Sequence, residues 1–193
     1  MAFLRLSSIA EDRLRLEAAG IYLRAPQKND FKAWAGLRDM SRDWLVPWEP
    51  QWRVDELSRA CYYWRLQGWQ HDSKLGLAAP FFIFRSSDDA LLGGINISNI
   101  RRGVAQDCTI GYWIGKPFAR QGHARNAVRA IVAHAFDTVN LHRVQAACIP
   151  SNFRSRGLLQ SLGFAEEGYA KSYLRINDQW QDHVLYARVA GEL

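Results

Sequence analysis

The stretch from Cys108 to Ile149 constrains the fold more than any other part of the chain. Cys108-Thr109-Ile110-Gly111-Tyr112-Trp113-Ile114 is rich in β-formers and reads as a strand. Gly115-Lys116-Pro117 breaks it, and a loop runs on to Gly122. From there Ala124, Ala127, Val128, Ile131, Val132 and Ala135 recur on one helical face. Val144 to Ile149 reads as the next strand. A helix with one apolar face between two strands buries that face on a sheet.

The flanking segments extend this pattern. Ile21-Tyr22-Leu23-Arg24 reads as a short strand closed by Pro26. Asn29-Asp30 can cap a helix through Phe31, Trp34, Leu37 and Met40, and Pro47 and Pro50 interrupt the chain beyond it. A second helix is predicted from about Asp55 to about Gln70, carrying Leu57, Cys61, Trp64 and Leu66. Phe81–Phe84 and Leu91–Ile97 flank a Ser86-Ser87-Asp88-Asp89 turn, which predicts a hairpin. Pro150-Ser151-Asn152 opens a short helix with Leu158, Leu159 and Leu162, and Gly163 ends it in a left-handed cap. The last strands, Tyr173–Ile176 and His183–Tyr186, turn at Asn177-Asp178. Helices first, then a meander, then alternating strands and helices predict one α/β (α+β) domain in the 193 residues.

Composition excludes several classes. The apolar run from Ala78 to Phe84 is far too short to span a bilayer. The N-terminus, Met1-Ala2-Phe3-Leu4-Arg5, has no long apolar core or small-residue cleavage site, so secretion is not expected. Cys61, Cys108 and Cys148 lie far apart with no Cys-x-x-Cys spacing. That argues against a zinc site or disulfide framework and suits a reducing cytoplasm. The net charge of +6 is local: between 101 and 156, nine Lys and Arg residues are opposed only by Asp107 and Asp137. Either a polyanionic ligand, a nucleic-acid surface or a merely solvated basic face accounts for this. Six of the eight tryptophans fall within 34–69, as an aromatic-rich core or as a groove that grips a ligand or peptide.

The chemistry points to the loop Phe118-Ala119-Arg120-Gln121-Gly122-His123-Ala124. A glycine before a helix lets backbone approach a ligand, and the first-turn N–H groups are unpaired donors in a positive dipole field. A phosphate or diphosphate fits there, and Lys116, Arg120 and Arg125 reinforce the field. The loop is neither a Walker A sequence nor a three-glycine dinucleotide fingerprint. Further on come Leu141-His142-Arg143 with a strand, then Asn152, then Leu162-Gly163-Phe164. This order resembles the GNAT superfamily of N-acetyltransferases, whose coenzyme A diphosphate loop matches Ala119 to Ala124. Ser98-Asn99-Ile100, Gly111–Gly115, Glu167-Gly168-Tyr169-Ala170-Lys171, Tyr173-Leu174 and Gln179–Val184 tighten it: they look like the RimJ branch of the RimJ/RimL ribosomal-protein N-acetyltransferases. The resemblance covers roughly 21–188, leaving 1–20 as an N-terminal extension without assigned structure and 189–193 as a tail.

That resemblance implies a single GNAT-type domain with a twisted, mixed, mostly antiparallel sheet flanked by helices. It implies acetyl-CoA as co-substrate, held in the V between the strand ending at Ile114 and the strand ending at Ile149. Tyr112, Trp113 and Ile114 would pair with pantetheine, and the Ile114 N–H would polarise the thioester carbonyl. Arg120, Gln121, Gly122, His123 and Ala124 would cradle the diphosphate, and Asn152 would bond pantetheine or orient the sulfur. Ala119 departs from the Gln or Arg that many members carry there. Leu159 stands where many relatives keep a Tyr, Ala147 where some keep a Glu, and Leu174 where some RimL-like members keep a Glu. Ser155 fills a position that those members use as a donor, so it is the expected acid for the departing thiolate, or simply a first-turn helix residue. Glu167 is the base by elimination, or a solvated surface charge. Asp182 and His183 are adjacent on a strand and point to opposite faces, so they are not expected to act as a dyad. His123 and His142 read more simply as packing or solvated residues, and Cys108 as an inert buried thiol.

The implied activity is acetyl transfer to the N-terminal α-amino group, Ala preferred, of a small-subunit ribosomal protein. Attack is direct, through a tetrahedral intermediate. An α-amine, with a pKa of about 8, needs less help than a lysine at about 10.4, which suits a sparse catalytic apparatus. Trp48, Trp52, Asn99 and Tyr173 are the expected walls of the acceptor groove, and a contact with the ribosome is compatible with the basic stretch. Two rivals remain: a small-molecule amine acetyltransferase, and a non-catalytic acyl-CoA sensor or ribosome-assembly factor.

Overall fold

The structure, a computed structural model, describes residues 14–191. Eight strands form one sheet: β1 (Arg15–Ala18), β2 (Ile21–Arg24), β3 (Ala79–Arg85), β4 (Leu91–Arg101), β5 (Asp107–Ile114), β6 (Arg143–Cys148), β7 (Ala165–Ile176) and β8 (Gln179–Val189). Their spatial order is β1-β2-β3-β4-β5-β6-β8-β7. Among the described residues only β5 and β6 pair parallel, because the crossover between them carries a helix. The helices are α1 (Phe31–Met40), the single turn α2 (Arg42–Leu45), α3 (Arg59–Lys74), α4 (His123–Ala133) and α5 (Phe153–Gln160).

Alternation along the strands builds two cores, one on each face of the sheet. On one face Ile83, Ile95, Ile97, Val144 and Tyr186 pack with Val128, Ile131 and Leu159 from α4 and α5. On the other, Phe82 and Phe84 pack with Trp34, Leu37, Tyr62 and Leu66 from α1 and α3. The apolar stripe expected on α4 is therefore the face it buries, and Gly122, at φ +84, turns the chain into that helix. Gly163, at φ +79, ends α5 as its sequence position predicts.

Three boundaries differ from the sequence reading. Helix α3 starts at Arg59 rather than near Asp55, because the Ser58 hydroxyl accepts the Cys61 N–H as the N-cap. Strand β7 begins at Ala165 and runs twelve residues, with register shifts between Glu166 and Gly168 and between Ala170 and Leu174. The bulges hide the period-two signal that marks a strand. The extension expected over 1–20 lies outside the described residues up to position 13, and its remainder carries β1, which pairs Leu16 with Leu23. At the other end, Val189 is the last residue of β8 and pairs with Arg143, while 192 and 193 lie outside the described residues. No helix among the described residues is long and apolar enough to cross a membrane.

Candidate active site

The feature that positions the site is the partial pairing of β5 with β6. They are in register only at Asp107↔Arg143, Cys108↔Val144 and Thr109↔Gln145; beyond Thr109 they diverge. Asp107 fastens the closed end: its buried carboxylate accepts Arg101 Nε at 2.7 Å and Gln145 Nε2 at 2.6 Å, tying β4 to β6. These charge-assisted bonds hold the Asp107 carboxyl below its usual range, with the Arg101 bond the largest cause. The open end of the V runs from Ile110 to Ile114 on one side and from Ala146 to Cys148 on the other.

One cavity, about 470 Å³, lies behind this opening. The Gly115 N–H donates to Leu92 O at 2.9 Å, toward β4, so the alternation of a strand turns the Ile114 N–H the other way, toward the opening. The Ile114 carbonyl accepts Trp44 Nε1 at 3.1 Å. Arg120 and Gly122 both have left-handed backbone, φ +63 and +84, which folds the loop back over the start of α4. The loop and first helical turn, through Arg120, Gly122, His123, Ala124 and Arg125, line the cavity, and Arg154 lines it from α5. The N-terminal end of α4 and three guanidinium groups thus give this cavity donors and charge that suit an anion. Burial lowers the His123 imidazole, and the Arg85 charge adds to that. Gln121 is not among the lining residues: its amide turns back to Pro117 O at 3.1 Å.

A second cavity, about 560 Å³, opens on the face covered by α1 and α3. Trp48 and Trp52, the expected groove residues, line it; so do Trp34, Trp69 and Trp113. The tryptophan cluster is therefore core and groove wall at once, since Trp34 is 2% exposed and sits in the second core. Trp113 lies across Gly94, where a Cβ would stand 2.6 Å from its indole nitrogen. At the floor, Arg38 spans Glu49 at 2.5 and 3.2 Å and lies 3.9 Å from Glu56, which also pairs with Arg65. Trp52 Nε1 donates to Glu49 at 2.8 Å, and the Arg38 guanidinium stacks 4.3 Å from the Trp52 ring. Two carboxylates are thus matched by two guanidiniums. Sequence reasoning missed this network, because only the fold brings 38, 49, 56 and 65 together.

The two cavities meet at Trp48, Glu49, Tyr112, Trp113, Asn152 and Ser155, which border both. Ser155 Oγ lies 2.7 Å from the Tyr112 hydroxyl and accepts the Cys148 thiol at 3.1 Å. Burial raises both the Tyr112 phenol and the Cys148 thiol, so these groups hold their protons at neutral pH. Asn152 Oδ1 accepts the Ser155 N–H at 3.2 Å as the cap of α5, and the residue borders both cavities. Leu159 is fully buried in the core. A phenol nevertheless stands at the junction, supplied by Tyr112 from β5.

The structure does not bring Glu167, Asn99 or Tyr173 to either cavity. Glu167, 42% exposed, is paired with Arg143, whose Nη1 donates to it at 2.9 Å; that bond holds the carboxyl below its ordinary range. Asn99 sits exposed at the irregular stretch of β4, with φ +52. Tyr173 is 47% exposed and reaches the site only through its edge contact with His183, 5.7 Å between ring centroids. Asp182 and His183 do point to opposite faces: Asp182 accepts the Tyr169 hydroxyl at 2.6 Å and the Ser172 N–H at 2.7 Å, whereas His183 lines the second cavity. Cys108 is 1% exposed, and burial pushes its thiol up to about 12, so it is not a nucleophile. No group of three or more metal-ligating side chains occurs among the described residues.

A splayed parallel strand pair, an anion-binding loop before a helix, and a second cavity meeting the first at hydroxyl groups can bring a phosphorylated donor and an acceptor together. Known proteins are similar in sequence and in fold. The chain is 36% identical over 182 residues to the [ribosomal protein uS5]-alanine N-acetyltransferase of Escherichia coli, covering 91% of this chain and 90% of that one. Its fold matches Mycobacterium smegmatis RimJ in complex with CoA-disulfide, with a TM-score of 0.86, 32% identity, and coverage of 93% and 88% of the two chains. The ribosomal-protein-S5-alanine acetyltransferase from Vibrio fischeri matches with a TM-score of 0.85 at 30% identity, covering 93% and 98%. The acetyltransferase (GNAT) domain profile matches residues 21–165, and the chain belongs to the GNAT acetyltransferase family.

Proposed function

We propose that this protein is an acetyl-CoA-dependent N-acetyltransferase acting on the N-terminal α-amino group of a protein, Ala preferred, with a small-subunit ribosomal protein as the natural acceptor. The observation that carries the reading is the meeting of the two cavities at Tyr112, Asn152 and Ser155. The relatives support it: the Escherichia coli and Vibrio fischeri proteins are named as ribosomal-protein-alanine acetyltransferases, and Mycobacterium smegmatis RimJ is in complex with a coenzyme A disulfide.

The coenzyme cavity fits the donor. Around Gly122 no atom lies within 4 Å of where a Cβ would stand, so a diphosphate can approach the backbone directly. Arg120, Arg125 and Arg154 supply the opposing charge, and the Ile114 N–H is the donor for the thioester oxygen. This cavity uses much of the basic excess between 101 and 156. Of the remainder, Arg101, Arg143 and Arg156 are paired with Asp107, Glu167 and Glu166. Exposed Lys116, Arg102 and Arg129 are left to face solvent or a ribosomal surface.

Acetyl-CoA supplies an activated acetyl group to direct attack by the amine. Ser155, backed by Tyr112, donates the proton that the departing sulfur takes. The acceptor cavity has apolar aromatic walls and a balanced charge network, so it offers no net negative field to gather a polycation such as a polyamine. That favours a short, uncharged N-terminal residue. The test is free-thiol release from acetyl-CoA against short peptides of differing N-termini, with N-terminally blocked copies and small amines alongside. Release with Ala- or Ser-initiated peptides that blocking abolishes is the expected result. Release confined to small amines overturns the reading.

A further inference from the structure

We propose that His183 is the general base that takes the proton from the acceptor's α-ammonium group; this deepens the N-terminal acetylation reading and rests on it. His183 is 3% exposed, yet it lines the acceptor cavity. Its neighbour Val184 pairs with Cys148, so His183 stands beside the end of β6, where the two cavities meet, on the face that α1 and α3 cover. A buried polar ring on a cavity wall needs a partner for each nitrogen or a task for the one left over.

One nitrogen is accounted for. Nδ1 lies 3.0 Å from the Gln181 carbonyl oxygen, and a carbonyl can only accept, so Nδ1 carries the proton. The neutral imidazole therefore has its lone pair on Nε2. That atom makes no hydrogen bond with protein among the described residues. The edge of Tyr173 packs against the ring and fixes its plane. The result is an oriented acceptor on the wall of a cavity built for an amine.

No other group in the cavity fits this task as well. Glu49 already accepts from Arg38 and Trp52, and Glu56 is paired with Arg65 and close to Arg38. Both carboxylates already spend their oxygens on guanidinium groups, and Glu49 on the Trp52 indole as well. From β5 and β6, Tyr112 and Cys148 are held protonated by burial. Asp182, next to His183 in sequence, is turned to the other face, where Tyr169 and Ser172 bind it. The charged groups sharing the cavity with His183 are thus two matched Arg–Glu pairs.

The protons balance. The ammonium gives its first proton to His183 Nε2, directly or through one water, and His183 releases it to solvent. The neutral nitrogen then forms the C–N bond as the C–S bond breaks. As the C–S bond breaks, Ser155 gives its proton to sulfur and takes the second proton from nitrogen, so the hydroxyl ends as it began. One amide, one thiol and one solvent proton result.

The experiment compares wild type with His183→Gln and His183→Phe on an Ala-initiated peptide from pH 6 to pH 9.5, with acetyl-CoA affinity measured in parallel. The expected defect is about tenfold in kcat at pH 7, the factor by which an amine of pKa about 8 is held back when it must lose its proton unaided. It shrinks to a few-fold above about pH 9, where the acceptor amine, with a pKa of about 8, arrives neutral. Acetyl-CoA affinity stays within two-fold. A defect of the same size at every pH overturns the proposal, because that is the mark of a packing role. If neither variant binds acetyl-CoA, wild type decides: kcat that tracks the acceptor amine's ionisation near 8 overturns it, and kcat already at its plateau at pH 7 supports it. Wild type that acetylates no α-amino peptide overturns the N-terminal reading itself, and this inference with it.

Discussion

Gly122→Ala separates the backbone cost of a left-handed residue from a direct role in holding the coenzyme. At φ +84 an alanine is strained, but its Cβ meets nothing within 4 Å. The cost to the free protein is therefore conformational alone, roughly 1–2 kcal/mol. In a domain of this size that lowers Tm by about 2–8 °C. Gly20, at φ +73 in the β1–β2 turn, is a matched control: its added Cβ also meets nothing within 4 Å, and neither cavity includes it. Gly20→Ala should lose the same stability. Only Gly122→Ala puts a methyl group where a diphosphate approaches the start of α4. Pushing that anion off one or two backbone N–H groups forfeits about 1.5–3 kcal/mol, or roughly a tenfold to hundredfold loss of acetyl-CoA affinity. Thermal unfolding and calorimetric titration of acetyl-CoA read the two effects apart. Equal affinity in the two variants would refute the placement of the diphosphate at Gly122.

The junction and its supports can be probed in the same way. Tyr112→Phe and Ser155→Ala should each lower kcat by about tenfold or more, and the double variant should fall little further, because two hydroxyls 2.7 Å apart act as one unit; additive losses in the cycle would contradict this. Glu167→Gln should leave kcat within about three-fold and stability within about 1 kcal/mol, since it removes only a half-exposed ion pair outside both cavities; a hundredfold loss in kcat would restore Glu167 as the base. Asp107, with its carboxyl held low by Arg101 and Gln145, stabilises the fold above its unfolded value of about 3.9, and that stability is lost as pH falls through the lower folded value. Asp107→Asn should therefore be less stable at pH 7, and its stability should fall less steeply than wild type's below pH 4; parallel acid limbs would count against the clamp.

Much of the coenzyme side is legible in the sequence, and for local reasons. The run Cys108–Ile114, Gly122, the apolar face of α4 and the Asn152 cap each announce themselves within a few residues, and together they trace that cavity. The acceptor side is written in long-range contacts. Arg38 meets Glu49 and Glu56 only after α1 packs on the sheet, and His183 faces the cavity only because β8 lies beside β6 in that register. Glu167 looks available in the sequence because it stands just after Phe164; the pairing of β7 with β8 turns it outward onto Arg143. Leu159, which stands where the resemblance has a Tyr, is buried, and a phenol reaches the junction from Tyr112, a strand residue whose side chain meets Ser155 across the V. A signal exists there, since the resemblance gives Tyr112 a backbone role, but spacing alone does not say which strand leans over which helix. Strand β1 escapes the sequence patterns because Arg15-Leu16-Glu17-Ala18 is only four residues long, half of them charged, and at the sheet edge.

The central claim is that donor and acceptor occupy their two cavities together and react directly where Tyr112, Asn152 and Ser155 border both. Initial velocities with acetyl-CoA varied at several fixed concentrations of an Ala-initiated peptide test it most directly. Intersecting lines in the double-reciprocal plot, the mark of a complex holding both substrates before transfer, are the predicted result. Parallel lines would mean that the acetyl group leaves the coenzyme before the peptide binds, with an acetylated enzyme between, and would contradict the account.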